Sequence, residues 1–312
     1  MYRLQNPGRT AGKTNGISTR YRGRFAPSPT GPLHLGSLYT ALASFLDARA
    51  QGGQWLVRID DLDTPRNVQG ADQAILDTLR CFGLEWDETP IRQSRRLDRY
   101  QEALNRLKQQ NLLFPCLCSR KGLARLDLPD GLYPGFCRDR NFPEAKPHAL
   151  RLRALPTALA FLDRHCGPQC YQAGRDFGDL IVKRRDHIIA YTLAVVIDDH
   201  DSGITDIVRG GDLLAETGKH LYLDNLLGFQ PARYLHLPIL TDAKGAKLSK
   251  QTFADAVDPS QPSRVLYRLL QCLNQAPPQE LAAQAKPQTV LDWAIQHWRP
   301  EQLSGQTAIR AL

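Results

Sequence analysis

A loop rich in proline and glycine precedes a predicted helix and carries two residues that could bind phosphate. The loop spans 24–37, and the apolar residues that follow it recur at helical spacing from Leu38 to Leu46. Because the first turn of a helix presents free amides and the positive end of its dipole, an anion is favoured there. His34 can donate a hydrogen bond to phosphate, and Gly36 lets a ligand approach the backbone. The alternative is that His34 only caps the helix or lies on the surface.

A second polar loop, late in the chain, carries two lysines three positions apart. Lys247 and Lys250 lie in the segment 245–251, just after the strand-like run 234–240. Two ammonium groups at this spacing could neutralise the charge that spreads over a triphosphate when its α-phosphorus is attacked. The alternative is an ordinary solvated surface loop. The segment therefore predicts a second half of a triphosphate site.

Three of the seven cysteines are grouped in a way that is typical of metal sites. Cys116 and Cys118 form a tight pair, and Cys137 follows 19 residues later. The odd cysteine count argues against a disulfide framework and for a reducing compartment. Thiolates grouped like this suit tetrahedral zinc, although three cysteines leave one ligand unassigned. The alternative is three buried thiols without a metal. The other cysteines are predicted to be core or incidental residues: Cys81, Cys166, Cys170 and Cys272.

Composition indicates a globular protein. The 312 residues are 42% apolar and 23% charged, and the sequence contains no apolar run of the roughly 18 residues that a membrane span needs. Residues 1–20 contain four basic and no acidic residues and lack an apolar core, which excludes a secretory signal and predicts a disordered tail. An organellar transit peptide is the alternative for that tail. The net charge of +8 permits an RNA partner without demonstrating one. We therefore expect a cytoplasmic protein.

In their order along the chain, the two phosphate-binding loops resemble the HIGH and KMSKS signatures of class I aminoacyl-tRNA synthetases. Residues 55–66 form a short apolar run that ends in an acidic cluster, and they resemble a segment of the glutamyl-tRNA synthetase family. Residues 191–200, interpreted as a second core strand, and residues 207–213 resemble further elements of that family. The resemblance covers residues 24–251.

The resemblance implies an α/β fold with the Rossmann-like, doubly wound parallel sheet of class I synthetases. After the tail, residues 21–110 and 186–251 are expected to form the two halves of the nucleotide-binding domain. Residues 111–185 are expected to form a zinc-bearing insertion of the kind that faces the acceptor end of RNA. Residues 252–312 are expected to form a small helical C-terminal part. Further predicted elements are helices at 71–82, 263–273 and 289–298, with a proline break at Pro287, and strands at 149–153 and 178–182.

The resemblance also assigns roles in glutamate binding. Arg24 is expected to hold the γ-carboxylate, with Arg209 as a second cation and Tyr191 as a hydroxyl donor. Asp60 is expected to face the α-amino group, although it is one methylene shorter than the glutamate of the family. The whole glutamate-binding set is Arg24, Phe25, Ala26, Pro27, Ser28, Asp60, Tyr191 and Arg209.

The ATP site and the metal site follow from the same resemblance. The ATP-binding set is His34, Gly36, Ser37, Lys247, Ser249 and Lys250. Of these, the expected catalytic residues are His34, Lys247 and Lys250, and Mg²⁺ is expected to bind together with ATP. One structural zinc ion per chain is expected on Cys116, Cys118, Tyr133 and Cys137, with the tyrosine oxygen as the unusual fourth ligand.

The length of the chain indicates one branch of the family. Only 61 residues follow Gln251, whereas the larger members continue with a helical anticodon-binding portion. This resembles the short glutamyl-Q tRNA(Asp) synthetases, and implies a monomer that activates L-glutamate with ATP without tRNA and esterifies the queuosine base of tRNA(Asp). The alternatives are a truncated glutamyl-tRNA synthetase that charges a tRNA 3′ end, and a zinc-containing RNA-binding protein without catalysis. The presence of the His34 and Lys250 loops argues against the RNA-binding protein without catalysis, because such a protein would not need them.

Overall fold

The computed structural model describes residues 20–126, 132–140, 142, 147–242, 257–283, 286–303 and 305–311. Helices and strands alternate through much of this part of the chain, as the α/β class requires. The helices are α1 (Leu35–Ala50), α2 (Ala71–Cys81), α3 (Leu97–Gln109), α4 (Arg120–Leu123), α5 (Tyr191–Asp201), α6 (Leu214–Leu227), α7 (Pro262–Cys272) and α8 (Pro287–His297). The strands are β1 (Arg22–Phe25), β2 (Gln54–Ile59), β3 (Ile91–Arg92), β4 (Leu113–Cys116), β5 (Ala149–Leu152), β6 (Thr157–Asp163), β7 (Gly167–Ala173), β8 (Leu180–Lys183), β9 (Asp206–Gly210), β10 (Arg233–Leu237), β11 (Ile239–Thr241) and β12 (Ala308–Arg310).

Parallel pairing dominates the centre of the fold. Strands β1, β2 and β3 pair in parallel in that order, and β9 pairs in parallel with β10. Just before β9, the Thr205 amide donates a 2.9 Å hydrogen bond to the Arg22 carbonyl, which brings β9 beside β1. The carboxyl ends of parallel strands meet at one edge of the sheet, where ligands bind in open α/β folds. The predicted doubly wound parallel sheet is confirmed.

Several predicted elements are confirmed within a few residues. The run after His34 forms α1, the run that ends before Asp60 forms β2, and 71–82 corresponds to α2. The strand-like run 234–240 is divided, because Pro238 separates β10 from β11. A proline has no amide to donate, so it interrupts a strand at this point.

The predicted core strand at 191–200 is wrong, because these residues form helix α5. Its residues from Leu193 to Asp199 are all buried. A helix that is buried on all sides has no polar face, so its sequence reads as a continuous apolar run like that of a central strand. The helix places two carboxylates, those of Asp198 and Asp199, inside the protein.

The segment 111–185 contains two antiparallel pieces. Strands β4, β5 and β8 form a three-stranded antiparallel sheet, in which β5 and β8 correspond to the predicted strands at 149–153 and 178–182. Strands β6 and β7 form an antiparallel hairpin, and β6 pairs in parallel with β10, so β7 is the edge strand of the sheet that contains β9 and β10. The boundaries of the predicted domains stay predictions.

A buried carboxylate on α1 connects three parts of the chain. Asp47 has no solvent exposure and accepts hydrogen bonds from the Tyr21 hydroxyl at 2.6 Å and the Trp298 indole at 2.9 Å. Arg164, which follows β6, donates to both carboxylate oxygens at 2.5 and 2.9 Å. Because a buried charge is tolerated only when it is paired, this network fixes α1 against the β6–β7 hairpin and the C-terminal part.

The C-terminal part packs α7 and α8 against α1, and β12 pairs in parallel with β11. Pro287, which was expected to break helical structure, instead lies in the first turn of α8, where a missing amide costs no helical hydrogen bond. In the described part of the chain, no helix is both long and apolar enough to cross a membrane. The predicted tail falls outside the described residues, except for Arg20.

Candidate active site and metal centre

A cleft of about 490 Å³ lies at the carboxyl ends of β1 and β9 and at the N-terminus of α1. Its volume is typical of a small-molecule site. The cleft brings together ten of the residues that the sequence assigned to glutamate or ATP: Arg24, Phe25, Ala26, Pro27, Ser28, His34, Gly36, Ser37, Tyr191 and Arg209. Residues more than 180 positions apart in the chain thus line one cavity.

His34 is the N-terminal cap of α1. Its Nδ1 accepts a hydrogen bond from the Ser37 amide at 3.2 Å, and its Nε2 lies 2.9 Å from the Ser37 hydroxyl. An accepting Nδ1 places the ring proton on Nε2 in the neutral tautomer. His34 therefore caps the helix, which was the alternative interpretation of the sequence. The same imidazole also lines the cleft.

Arg24 is held from behind by a buried aspartate on α5. Its Nε and Nη2 donate to the two carboxylate oxygens of Asp199 at 3.0 and 3.1 Å, and both residues are buried. This leaves the Nη1 side of the guanidinium without a partner among the described residues. Burial alone would raise the pKa of Asp199, but Arg24 and Arg58 outweigh it and lower that pKa to about 2. Asp199 therefore stays ionised at neutral pH.

Asp60 is held by Arg58, which also bonds to Asp199. The Arg58 guanidinium donates to Asp60 at 2.7 and 3.4 Å and to Asp199 at 2.6 Å. Burial raises the pKa of Asp60 to about 6, in spite of the opposing charge of Arg58. Asp60 does not line the 490 Å³ cleft but lines an adjacent cavity of about 550 Å³. The two cavities share Ser28, Arg66 and Tyr191, so they adjoin each other.

Sequence reasoning gave no role to Arg58 or Asp199, which hold Arg24 and Asp60 in place. Asp198, the neighbour of Asp199, accepts hydrogen bonds from Gln93 at 2.8 Å and from Arg96 at 2.7 Å. The signal was present in the sequence as two acids at the end of an apolar run. These two acids indicate a buried ion-pair network only when the apolar run is known to be a buried helix.

Arg209 lines the cleft, but most of its hydrogen bonds are made inside the protein. It donates to His236 at 3.0 Å, to Thr217 at 2.8 Å and to the Leu213 carbonyl at 3.2 Å, and it lies 3.1 Å from His220 Nδ1. His236 is in turn fixed by Asp163 at 2.6 Å. Arg209 thus contributes positive potential to the cleft from a fixed position, while Arg24 keeps more of its donors available.

The second signature loop lies outside the described residues, and with it Lys247, Ser249 and Lys250. The described segments on its two sides come close to the first signature loop or the cleft. On one side, Leu240 of β11 lines the cleft wall. On the other side, the Val257 amide donates a 3.0 Å hydrogen bond to the carbonyl of Leu33, the residue before His34.

The three predicted metal-binding cysteines converge with Tyr133 in the insertion. The Tyr133 hydroxyl lies 3.4 Å from Cys116 Sγ and 3.6 Å from Cys118 Sγ, and Cys118 and Cys137 have their sulfurs 3.7 Å apart. Tetrahedral zinc, with about 2.3 Å to sulfur and 2.0 Å to oxygen, separates its ligands by about 3.8 Å (S–S) and 3.5 Å (S–O). The cluster therefore could hold a metal ion of this size.

A buried arginine balances the charge of this cluster. Arg151 donates to Cys116 Sγ at 3.3 Å, and its guanidinium carbon lies 3.9 Å from the centre of the Tyr133 ring. The backbone amide of Cys137 also donates to the Tyr133 oxygen at 3.0 Å. Three thiolates and a phenolate around a divalent ion carry excess negative charge, and these donors stabilise it. The residues fit a zinc site.

The catalytic-domain model described as tRNA synthetases class I (E and Q) matches residues 20–127 and 138–267. A glutamyl-Q tRNA(Asp) synthetase of Aromatoleum aromaticum is 49% identical over 92% of this chain and 92% of its own length. One of Pseudomonas syringae pv. tomato is 47% identical over 93% of this chain and 96% of its own length.

Among solved structures, a glutamate tRNA ligase from Elizabethkingia meningosepticum, in complex with its amino acid, is similar with a TM-score of 0.79 and 25% identity. The match covers 94% of this chain and 67% of that ligase. The synthetase model covers well over half of this sequence, and curated relatives align over nearly all of it. The chain therefore belongs to the class I tRNA synthetases of the E and Q family.

Proposed function

We propose that this chain is a ligase that activates L-glutamate with ATP and transfers it to the queuosine base at the wobble position of tRNA(Asp). The observation that carries the proposal is the single cleft in which the glutamate-binding and phosphate-binding residues meet. The choice of acceptor is supported by the names of relatives that align over more than nine tenths of this chain.

The first step is the formation of glutamyl-adenylate, which needs no RNA. The Nη1 side of Arg24 holds the γ-carboxylate, and Tyr191 and Asp60 orient the other end of the amino acid. An oxygen of the α-carboxylate attacks the α-phosphorus, a new O–P bond forms, and pyrophosphate leaves with the electrons of the broken P–O bond. His34, Lys247 and Lys250 stabilise the added charge, and Mg²⁺ accompanying ATP would supply further positive charge.

In the second step, a hydroxyl of the queuosine ring attacks the acyl carbon of the adenylate. The ester bond forms, AMP leaves, and the hydroxyl proton passes to the departing phosphate. The acceptor must reach the cleft from outside. The 550 Å³ cavity beside Asp60 gives this access, because it opens next to Tyr191 and Ser28, which also line the cleft.

The RNA contact surface we propose is a cationic groove of about 880 Å³ between α3 and the insertion. Six basic side chains line it, and Asp139 is the only acidic residue among its described lining. The groove meets the 550 Å³ cavity at Arg184, which lines both. A continuous path therefore runs from a surface suited to RNA phosphates to the acyl group. The basic residues are Lys108, Arg138, Arg140, Arg153, Lys183 and Arg184.

Zinc is the ion we propose for the cysteine cluster, held by Cys116, Cys118, Tyr133 and Cys137. With four protein ligands it has no open position for substrate, and its contribution is to hold the insertion together. A cytoplasmic location and a monomeric state stay predictions.

The test of the proposed function has two parts. Glutamate-dependent exchange of pyrophosphate into ATP is measured without RNA, with glutamine and aspartate as competing substrates. Labelled glutamate is then offered to tRNA(Asp) with and without queuosine, and to the isolated queuosine-containing anticodon stem-loop. We expect exchange with glutamate, and glutamylation of both queuosine-containing RNAs. Esterification at the 3′ end of an unmodified tRNA would instead show a truncated glutamyl-tRNA synthetase. Absence of exchange without RNA would exclude RNA-independent activation, and absence of exchange with tRNA present as well would exclude a glutamate-activating enzyme.

A further inference from the structure

The strand that leads into the second signature loop has an unusual partner. Strand β11 pairs in parallel with β12 from the far end of the described chain, with Ile239 opposite Ala308 and Thr241 opposite Arg310. In the described part of the chain, the two strands form a sheet of their own and β11 pairs with no other strand. Residues nearly 70 positions apart thus form one small sheet at the cleft.

Hydrogen bonds hold β11 along its whole length. The Ile239 amide donates to the Thr307 carbonyl at 2.9 Å, and the Ala311 amide donates to the Thr241 carbonyl at 2.8 Å. The Thr241 hydroxyl also lies 3.3 Å from the Ile309 carbonyl, while the Ile309 side chain packs against the main apolar core. The far strand is therefore anchored in the core and can fix its neighbour.

Strand β11 also borders the cleft. Ile239 and Leu240 line it, as do His34, Gly36 and Ser37, the described residues assigned to ATP. The glutamate side is built from other elements, since Arg24 lies on β1 and Tyr191 begins α5. A displacement of β11 would thus change the ATP side of the cleft and leave the glutamate side in place.

We propose that β12 is a positioning element for ATP, which sets the place of the cleft wall formed by β11. Since ATP is the ligand of the proposed function, the inference rests on that function. Direct ATP binding is therefore the primary measurement, because it does not depend on which amino acid or RNA the protein uses.

Two variants remove the contact to different degrees. Ala311→Pro deletes the amide that donates to Thr241, and a chain that ends at Gln306 lacks β12 entirely. Arg310→Ala is the matched control, because the Arg310 side chain is exposed and its backbone is unchanged. For each protein, the Kd for ATP is measured by calorimetry, and the KM values for ATP and glutamate are measured by pyrophosphate exchange.

The expected result is selective. The Kd and KM for ATP should rise about fivefold in Ala311→Pro, as expected for one lost hydrogen bond, and about tenfold or more in the shortened chain. The KM for glutamate should stay within about twofold in both, and Arg310→Ala should match the unaltered protein. Unchanged ATP binding in the shortened chain, or a parallel rise for ATP and glutamate, would overturn the inference. Normal ATP binding without exchange would instead refute the proposed function alone.

Discussion

Arg24 and Asp199 form a buried, two-point ion pair in which Nε lies 3.0 Å from Oδ1 and Nη2 lies 3.1 Å from Oδ2. The pair joins β1 to α5, two elements that are far apart in the sequence. It uses one edge of the guanidinium and leaves Nη1 without a partner among the described residues. A single arginine thus ties two elements of the fold together and, in the proposed function, also recognises the γ-carboxylate of glutamate.

Replacement of Arg24 by lysine should separate these two functions. A lysine has one ammonium group, which would pair with Asp199 and leave no fork for the γ-carboxylate. The kcat/KM for glutamate in pyrophosphate exchange should fall on the order of 100-fold, in line with the roughly 1.5–3 kcal/mol of a hydrogen bond to a charged group. Arg22→Lys on the same strand is the control and should keep normal activity. Equal kcat/KM in both variants would place the γ-carboxylate elsewhere.

The affinity for glutamate should depend on the ionisation of Asp60. Burial raises the pKa of Asp60 to about 6, so this carboxyl takes up a proton as the pH falls through 6. The protonated form no longer attracts the α-ammonium, and the KM for glutamate should rise about tenfold between pH 7 and pH 5. The same raised pKa has the opposite effect on the free energy of unfolding. Because the folded state binds the Asp60 proton more tightly than the unfolded state does, this group favours folding at pH values below its unfolded-state pKa. That contribution is lost as the pH rises through 6.

Two variants identify the titrating group. Asp60→Asn should have a high KM for glutamate at every pH, without the rise at acidic pH. Asp63→Asn removes an acid from the same cavity but keeps Asp60, so its pH profile should match that of the unaltered protein. A rise that persists in Asp60→Asn would assign the dependence to another group.

The sequence predicted the residues that could bind or react better than it predicted the residues that hold them in place. The types and spacing of Cys116, Cys118 and Cys137 predicted a metal site with one ligand unassigned, and the family resemblance supplied Tyr133, whose hydroxyl lies beside the three sulfurs. The ion pair of Arg24 with Asp199 could not be predicted from residue types and spacing. It depends on α5 being a helix, and burial on all sides hides helical periodicity.

The hydrogen bonds of Arg209 show a second feature that the sequence could not predict. Its position at the cleft follows from the motif, but its saturation by His236, Thr217 and the Leu213 carbonyl depends on contacts among β9, β10 and α6. No local pattern encodes how many donors of a guanidinium remain available. Likewise, the pairing of β12 with β11 joins two short strands whose three-residue patterns carry no signal.

Replacement of Lys250 tests the role of the second signature loop. If its ammonium group stabilises the charge on the α-phosphorus, Lys250→Ala should lower the rate of pyrophosphate exchange by about 100-fold, with a smaller change in the KM for glutamate. Lys244→Ala, just before the same segment, is the control and should have nearly normal activity. An unchanged rate in Lys250→Ala would show that the catalytic loop is elsewhere.

The metal centre should bind one zinc ion per chain and lose it in a defined order. Tyr133→Phe removes one oxygen ligand and keeps the ring, whereas Cys118→Ser removes a thiolate, so a chelator should extract zinc fastest from Cys118→Ser. Elemental analysis gives the occupancy, and the release rate is measured with a coloured chelator. Cys170→Ser, at an exposed cysteine, should retain zinc like the unaltered protein. Equal retention in Tyr133→Phe would assign the fourth ligand to another group.

The removal of zinc should affect the two steps unequally. The cluster lies in the insertion and not in the cleft, so pyrophosphate exchange should remain while transfer to RNA falls. Loss of both activities in proportion would show that the metal supports the whole fold.

The cationic groove should be specific to the RNA step. Lys108 is exposed and Lys183 half-buried, and neither forms an ion pair within the described residues, so both ammonium groups are available to phosphates. In Lys108→Ala combined with Lys183→Ala, the Kd for the queuosine-containing stem-loop should rise, and the slope of log K against log salt should fall by about 2, roughly one per lost contact. Pyrophosphate exchange should be unchanged, since neither lysine lines the cleft.

Lys286→Ala is the control for loss of a single surface charge, because Lys286 is exposed before α8 and does not line the groove. It should leave both RNA affinity and salt dependence unchanged. If the groove variant keeps the salt slope of the unaltered protein while glutamylation proceeds normally, the RNA must approach the cleft by another face. The function would then stand, and the path from the groove through Arg184 to the acyl group would be wrong.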